Sequence, residues 1–405
     1  MKKNIIIQAP VFSMSGYGAH SRDIVMAIIK SGMFNVSLYP VGWGATSTGE
    51  QLSKPVLDEL VFAVQNQMPS DTDFIWLQIG MPDEFRRVSR TYNIGITAGV
   101  ECTNIPQNWV QSCTAMDKIY VPSTFTKDTF LRGGVRVPVE VLPEGVDLSI
   151  YGLDLPIDSF LDKYINDTVD TKFNFMFSGQ WMNAPRGADR KQVATLIESI
   201  FEAFKDVPSG EVGLILKTST INNSTPDRNF TGQRIEKIKN NRHSPKLYLI
   251  HGELTELEEA TLYRHPKIHA FVSATSGEGW NRPAAQAVAS DMPVGITKWS
   301  GHMDFINPEI STTFEYVFRE VPIQVDRKYF PPGSKWAIVD LQDLKDKLVI
   351  MRNNYDVLKQ KAIEYGKVFR EKYSLKVYDA LIQDLSKVEI APGESPLILT
   401  ELRQK

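Results

Sequence analysis

Glu278 stands between Gly277 and Gly279, and the phrase runs on through Trp280, Asn281 and Arg282 to Pro283. An alanine-rich helical stretch carrying Gln286 follows, and Ser290-Asp291-Met292-Pro293 ends it. Apolar runs of strand length bracket the segment, Ala270-Phe271-Val272 before it and Val294-Gly295-Ile296-Thr297 after it. A strand, a glycine-rich loop and a helix start make a pocket for an anion, because free N–H groups point out of the first helical turn. A carboxylate does not bind phosphate, so the work left to Glu278 beside such a pocket is holding hydroxyl groups. Phosphate and hydroxyls side by side describe a nucleotide-sugar.

Other places carry suitable groups. The loop Ser15-Gly16-Tyr17-Gly18-Ala19-His20 follows an apolar run, and its two glycines let backbone approach a ligand closely. Arg190 and Lys191 stand just before a helix start, with Arg186 behind them. The helix dipole disfavours cations there, so either an anion lies nearby or the pair is a solvated helix start. Lys217 ends the apolar run Leu214-Ile215-Leu216. Glu101, in Gly99-Val100-Glu101-Cys102, is placed to orient or deprotonate a hydroxyl, or else to form a salt bridge at a domain edge. In Trp299-Ser300-Gly301-His302 the glycine offers backbone to a phosphate, and His302 reads as a surface residue. No His, Cys and carboxylate cluster has zinc spacing, and no metal site is expected.

These groups need a scaffold. Strand-length apolar runs alternate with helical periods, which predicts an α/β protein with parallel sheets. Strands are expected at Ile5–Ala9, Val36–Pro40, Phe74–Ile79, Tyr92–Thr97, Lys118–Pro122 and Val139–Leu142, then at Phe173–Gly179, Val212–Lys217, Lys246–His251 and His269–Ser273. Between the two series, Leu148 to Thr171 loses apolar periodicity and reads as a hinge. Asp343 to Phe369 reads as a long amphipathic helical stretch. The expectation is two facing Rossmann-like domains, 1–150 and 165–369, with a C-terminal helix in 370–405 completing the first. Ligands of such sheets sit beyond the carboxyl ends of the strands, which would place them in an interdomain cleft.

Composition narrows the class. A length of 405 residues suits two domains, and a formal net charge of -3 argues against a whole-protein grip on nucleic acid. Cys102 and Cys113 read as reduced thiols. No apolar run approaches the roughly 20 residues that span a bilayer. A soluble cytoplasmic protein is expected.

The Glu278 phrase resembles the signature of retaining glycosyltransferases with the GT-B fold, the group that includes glycogen and sucrose synthases. Glu278 fills the first acidic position, Gly279 and Pro283 match, and Ala287, Ala289, Pro293 and Val294 follow in register. Gln286 replaces the second acid, with seven residues between it and Glu278, and Gln180 stands where an Arg usually follows the glycine, here Gly179. The resemblance implies that Glu278 contacts the donor sugar, with Gly277, Trp280 and Asn281 around it, and that Gln286 contacts the ribose. It implies that Arg190, Lys191 and Lys217 meet the diphosphate and that the Gly16-Tyr17-Gly18 loop approaches it. His251-Gly252 takes the position of a nucleobase contact, although His251 reads equally well as a satisfied buried histidine. A nucleotide-diphosphate sugar, first of all a UDP-sugar, is the implied donor, with no cofactor or metal required.

The opening stretch from Gln8 through Ser15-Gly16-Tyr17-Gly18-Ala19-His20 to Asp23 resembles glycosyltransferases of tailed bacteriophages, some of which act on hydroxymethylated pyrimidines in DNA. A phage enzyme would work in the host cytoplasm. Arg86, Arg87, Arg90, Lys127, Arg132 and Arg136, interleaved with Phe85, Tyr92, Phe125 and Phe130, would form the basic strip that a double-stranded DNA acceptor needs. His20 and Glu101 would face that acceptor. A polysaccharide, a lipid and a small molecule are the competing acceptors. A degenerate nucleotide-sugar-binding module is the alternative without catalysis, and a nucleotide-sugar epimerase is the alternative enzyme.

Overall fold

The computed structural model describes residues 2–44, 46–49, 52–68, 73–89, 91–185, 187–240 and 242–389. It divides into two compact units: Met1–Gly99 with Ile105–Gly145 and Leu375–Lys405, and Val100–Asn104 with Val146–Ser374.

The first unit strings together β1 (Lys3–Ala9), α1 (Gly16–Ser31), β2 (Phe34–Pro40), α2 (Lys54–Gln65), β3 (Ile75–Ile79), β4 (Tyr92–Ile96), α3 (Gln107–Thr114), β5 (Lys118–Val121), α4 (Thr124–Gly133) and β6 (Val139–Val141). Its six strands are parallel in the order β2-β1-β3-β4-β5-β6. Ile5, Ile7, Ile75, Leu77, Ile94 and Ile96 are almost completely buried. That is why these strands read as apolar runs without alternation. Ser15 caps α1 by accepting the Gly18 N–H, and Gly32 closes it in the left-handed region at φ 65°.

The second unit begins with α5 (Leu148–Tyr151) and α6 (Ser159–Thr168). It continues with β7 (Phe173–Ser178), α7 (Val193–Ala203), β8 (Val212–Lys217), α8 (Thr225–Lys239), β9 (Lys246–Ile250), α9 (Glu256–Arg264), β10 (Ala270–Ser273), α10 (Arg282–Ala289) and β11 (Val294–Thr297). Then come β12 (Thr312–Phe314), β13 (Tyr316–Glu320), β14 (Lys335–Val339), α11 (Leu341–Asn353) and α12 (Tyr355–Tyr373). Six parallel strands run β12-β11-β10-β7-β8-β9, while β13 and β14 pair antiparallel outside that sheet. The chain then returns to the first unit with α13 (Asp379–Lys387), whose Leu381, Ile382 and Leu385 join that core. Asp384 of α13 accepts from Lys118 and Tyr120.

One expectation is corrected and another refined. The segment 148–171 is not an irregular hinge: it carries α5 and α6 and belongs to the second unit, capped by Asp147 and Asp158. Its weak periodicity reflects short helices with a single buried stripe, Leu161 and Ile165 in α6. The stretch 343–369 is two helices, because Asn354 ends α11 and starts α12 at φ -109° and ψ 24°. Among the described residues, no helix is long and apolar enough to cross a membrane.

Candidate active site

In the second unit's sheet the strand order reverses between β7 and β10, so the loops after those two strands lie at a switch point, where such sheets bind ligands. The loop after β7 delivers Arg190 and Lys191, and the loop after β10 delivers Glu278.

The two loops are fastened directly to each other. Ser276 N–H donates to the Arg190 carbonyl at 2.7 Å, and Arg190 Nη1 donates to the Gly277 carbonyl at 2.6 Å. Gln192, held in the left-handed region at φ 50°, donates Nε2 to the Ala274 carbonyl at 2.7 Å and to Ser276 Oγ at 3.0 Å. Asp189 accepts from the N–H groups of Lys191 and Val193. Gly277 admits no side chain, since a Cβ there would sit 2.3 Å from the Glu101 carbonyl oxygen and 2.8 Å from Trp299.

Glu278 is 5% exposed and held by three donors, one fewer than the roughly four a carboxylate can accept. Arg190 Nη1 lies 2.9 Å from Oε2, Lys191 Nζ lies 2.5 Å from Oε1, and Thr275 Oγ1 donates to Oε1 at 2.8 Å. Its own N–H donates to Ser300 Oγ, and its carbonyl accepts from Gly301 N–H. Burial favours the neutral acid, but Arg190, Lys191 and Thr275 together outweigh it and hold the carboxyl at about 2. Arg190 also reaches Glu101, with Nη2 2.8 Å from Oε1. For Glu101 the balance tips the other way: burial pushes its pKa up, Arg190 pulls it down, and the Glu278 charge pushes it up again.

The remaining expected donor residues lie around this cluster in varied roles. Asn281 caps α10 from φ 85°, accepting the Ala284 N–H, and Trp280 is core, packed on Phe305 and Tyr373. Gly279 is buried as well. Gln286 donates Nε2 to the Tyr151 hydroxyl at 2.7 Å, and among the described residues its buried Oε1 meets no partner. Lys217 donates to the Gly252 carbonyl at 2.9 Å, and burial lowers its pKa despite Glu259 and Glu253. His251 Nε2 is tied to Asp227 at 2.9 Å and buried. Gly301 spends its N–H on Glu278, so it does not present that group to a phosphate. His302 is not at the surface: it is fully buried, bonds the Thr297 carbonyl, and burial drops its pKa to about 4.

In the first unit, Gly16, Tyr17 and Gly18 form the first turn of α1 rather than a loop preceding it. A Cβ on Gly18 would lie 1.9 Å from the Ser13 carbonyl oxygen. Tyr17 stacks on Trp43 at 4.1 Å, and its hydroxyl meets Thr97 Oγ1 and accepts the Ala98 N–H. His20 is 1% exposed beside the Tyr378 hydroxyl. The basic strip loses two of its four stacking rings, because Phe85 and Phe130 are core, while Tyr92 and Phe125 are half-buried. Its arginines have local partners: Arg86 bonds the Asp83 carbonyl, Arg87 pairs with Asp117, and Arg132 bonds Thr129. Arg90 and Arg186 lie outside the described residues.

No protein-family model matches the chain, and no curated protein matches it. Solved structures do. Anabaena HepE in complex with UDP and glucose superposes with a TM-score of 0.64 at 12% identity, covering 95% of this chain and 100% of HepE. A glycosyltransferase from Rickettsia africae gives 0.62 at 14% identity, with 96% and 100% covered. The E. coli trehalose-6-phosphate protein bound with UDP-2-fluoro glucose gives 0.60 at 11% identity, again with 96% and 100% covered. The fold is GT-B. In this GT-B chain the acid and the cations of the sequence reading meet within one unit, at one switch point. Sequence reasoning did not single out Thr275, Gln192, Ser300 or Tyr151. Asp189, next to Arg190, was the one with a signal, an acid one residue before a helix-start cation pair.

Proposed function

We propose that the chain is a retaining glycosyltransferase whose second unit binds a nucleotide-diphosphate sugar, a UDP-sugar first of all. The observation that carries this reading is the convergence of Glu278, Arg190 and Lys191 from two switch-point loops into one buried cluster. Glu278 holds sugar hydroxyls, and its depressed pKa keeps it an acceptor of their hydrogen bonds throughout the neutral range. Arg190 and Lys191 meet the diphosphate. As the C1–O bond to the diphosphate breaks, its electron pair goes to the leaving oxygen, and the two cations stabilise the charge that gathers there. The acceptor oxygen bonds to C1 on the same face, and its proton passes to the departing diphosphate. Gln286 lies on the ribose side, with Lys217, His251 and Gly252 towards the base. UDP in two of the similar structures, HepE and the E. coli protein, supports the donor class. We assign the acceptor to the first unit.

Incubation with a panel of nucleotide-sugars, read by nucleoside diphosphate released, tests the reading. Release from one donor with product anomeric configuration kept is expected; binding without release would leave a sugar-nucleotide-binding module. A 5-hydroxymethylpyrimidine in phage DNA is the acceptor suggested by the opening residues. Labelled-sugar transfer to hydroxymethylated against unmodified duplex decides it, and background on both removes it.

A further inference from the structure

Arg190 serves two acids at once, Glu278 through Nη1 at 2.9 Å and Glu101 through Nη2 at 2.8 Å. Lys191 closes the group on Glu278. Two carboxylates against two cations leave no net positive charge, so as it stands the cluster holds nothing in reserve to draw in a diphosphate. One acid has to let go, and the geometry says which. Glu278 is gripped by Arg190, Lys191 and Thr275, with its backbone fixed by Ser300 and Gly301. The Glu101 carboxylate is held, among the described residues, through Arg190.

We infer that Glu101 is a placeholder anion, occupying Nη2 of Arg190 until a diphosphate displaces it, and that its displaced carboxyl takes up a proton. This rests on the reading of Arg190 and Lys191 as diphosphate ligands. It makes Glu101 a positioning residue: it keeps the guanidinium aimed while the site is empty and sets the affinity for the anion that replaces it.

The surroundings support the proton uptake. Around Glu101 stand Arg190 and Lys191 from the loop after β7 and Glu278 from the loop after β10. Next to Arg190 lies Asp189, and near Glu278 lies His302, neutral with a pKa near 4. Cys102 is beside it, its thiol pushed up to about 11 by burial, and β14 brings Lys335, whose backbone bonds Thr103. Once Arg190 turns to a diphosphate, the carboxylate keeps the Glu278 charge and gains an anion nearby without its cation. Both changes favour its protonated form.

Calorimetric titration of UDP and of inorganic pyrophosphate into the full chain and into Glu101→Gln is the test. At about pH 7.5 the variant is expected to bind ~10- to 100-fold tighter. The gap should narrow as the pH is lowered, because protonating the released wild-type carboxyl then costs less. Ligand protonation is common to both proteins, so the ratio isolates Glu101. Titration in buffers of different ionisation enthalpy should reveal uptake of more protons by wild type than by Glu101→Gln. Equal or weaker binding by a folded Glu101→Gln, or no greater proton uptake by wild type, overturns the inference while leaving the donor site standing. If neither protein binds UDP or pyrophosphate, the donor-site reading falls and this one with it.

Discussion

The carboxyl ends of the two six-stranded sheets are furnished differently. At the second unit's switch point, four charged side chains from three segments are pinned together, Glu278 buried and the other three partly so. At the corresponding end of β1 in the first unit, the groups are hydroxyls and rings: Ser13, Ser15 and Thr46 in a hydrogen-bonded chain, and Tyr17 stacked on Trp43. Buried charges are costly unless paired, so a protein concentrates them where charge develops in a reaction. Neutral hydroxyls and aromatic faces suit a ligand that stays neutral. The contrast is what the proposed division expects, with the departing anion at one unit and the acceptor at the other.

The largest effect that would break this division lies in the cations. Replacing both Arg190 and Lys191 by Ala should lower nucleoside diphosphate release by at least about 10²- to 10³-fold, because each removes a charge-stabilising donor. A comparable loss from Tyr17→Phe would erase the contrast. The resemblance places Tyr17 near the diphosphate, whereas the present division places it with the acceptor: Tyr17→Phe removes the hydrogen bond to the Ala98 N–H, worth about 1 kcal/mol, and should act on the acceptor KM while UDP affinity stays put.

Next in size are two effects on stability. Gly18→Ala drives a methyl into the Ser13 carbonyl at 1.9 Å and should cost about 1–3 kcal/mol in urea unfolding, whereas Gly16→Ala, with nothing within 4 Å, should stay within about 0.5 kcal/mol. In the second unit the buried His302 couples folding to pH. Its pKa falls from 6.5 unfolded to about 4 folded, so below 6.5 the unfolded chain binds the proton first. Stability should therefore be lost as pH drops from 6.5 to about 4, by at most about 3 kcal/mol, and not further below it. His302→Asn should flatten that part of the profile in thermal melts. An unchanged slope would mean that another group titrates there.

The sheets were legible because parallel strands buried on both faces print as uninterrupted apolar runs. Val212–Lys217 and Val294–Thr297 emerge with their sequence boundaries intact. The Glu278 loop was legible from its glycines, since Gly277 is needed for close approach to the Glu101 backbone. What resisted reading were partners set by tertiary contact. No spacing rule connects Glu101 to Arg190, nor Tyr151 to Gln286, because each pair is joined only when distant segments pack. The same holds for His302, whose polar neighbours in sequence suggest exposure while Thr297 and the Glu278 loop enclose it. Helix breaks such as Asn354 leave the apolar stripe intact and so escape a periodicity argument.

The central claim is that the Arg190 and Lys191 pair receives the diphosphate of the donor. Titrating UDP into wild type and into the folded Arg190→Ala/Lys191→Ala variant tests it directly. The account predicts clear binding by wild type and a loss of about 10²-fold or more in the variant, two charge-assisted contacts having gone. Equal affinity in the two proteins would contradict it.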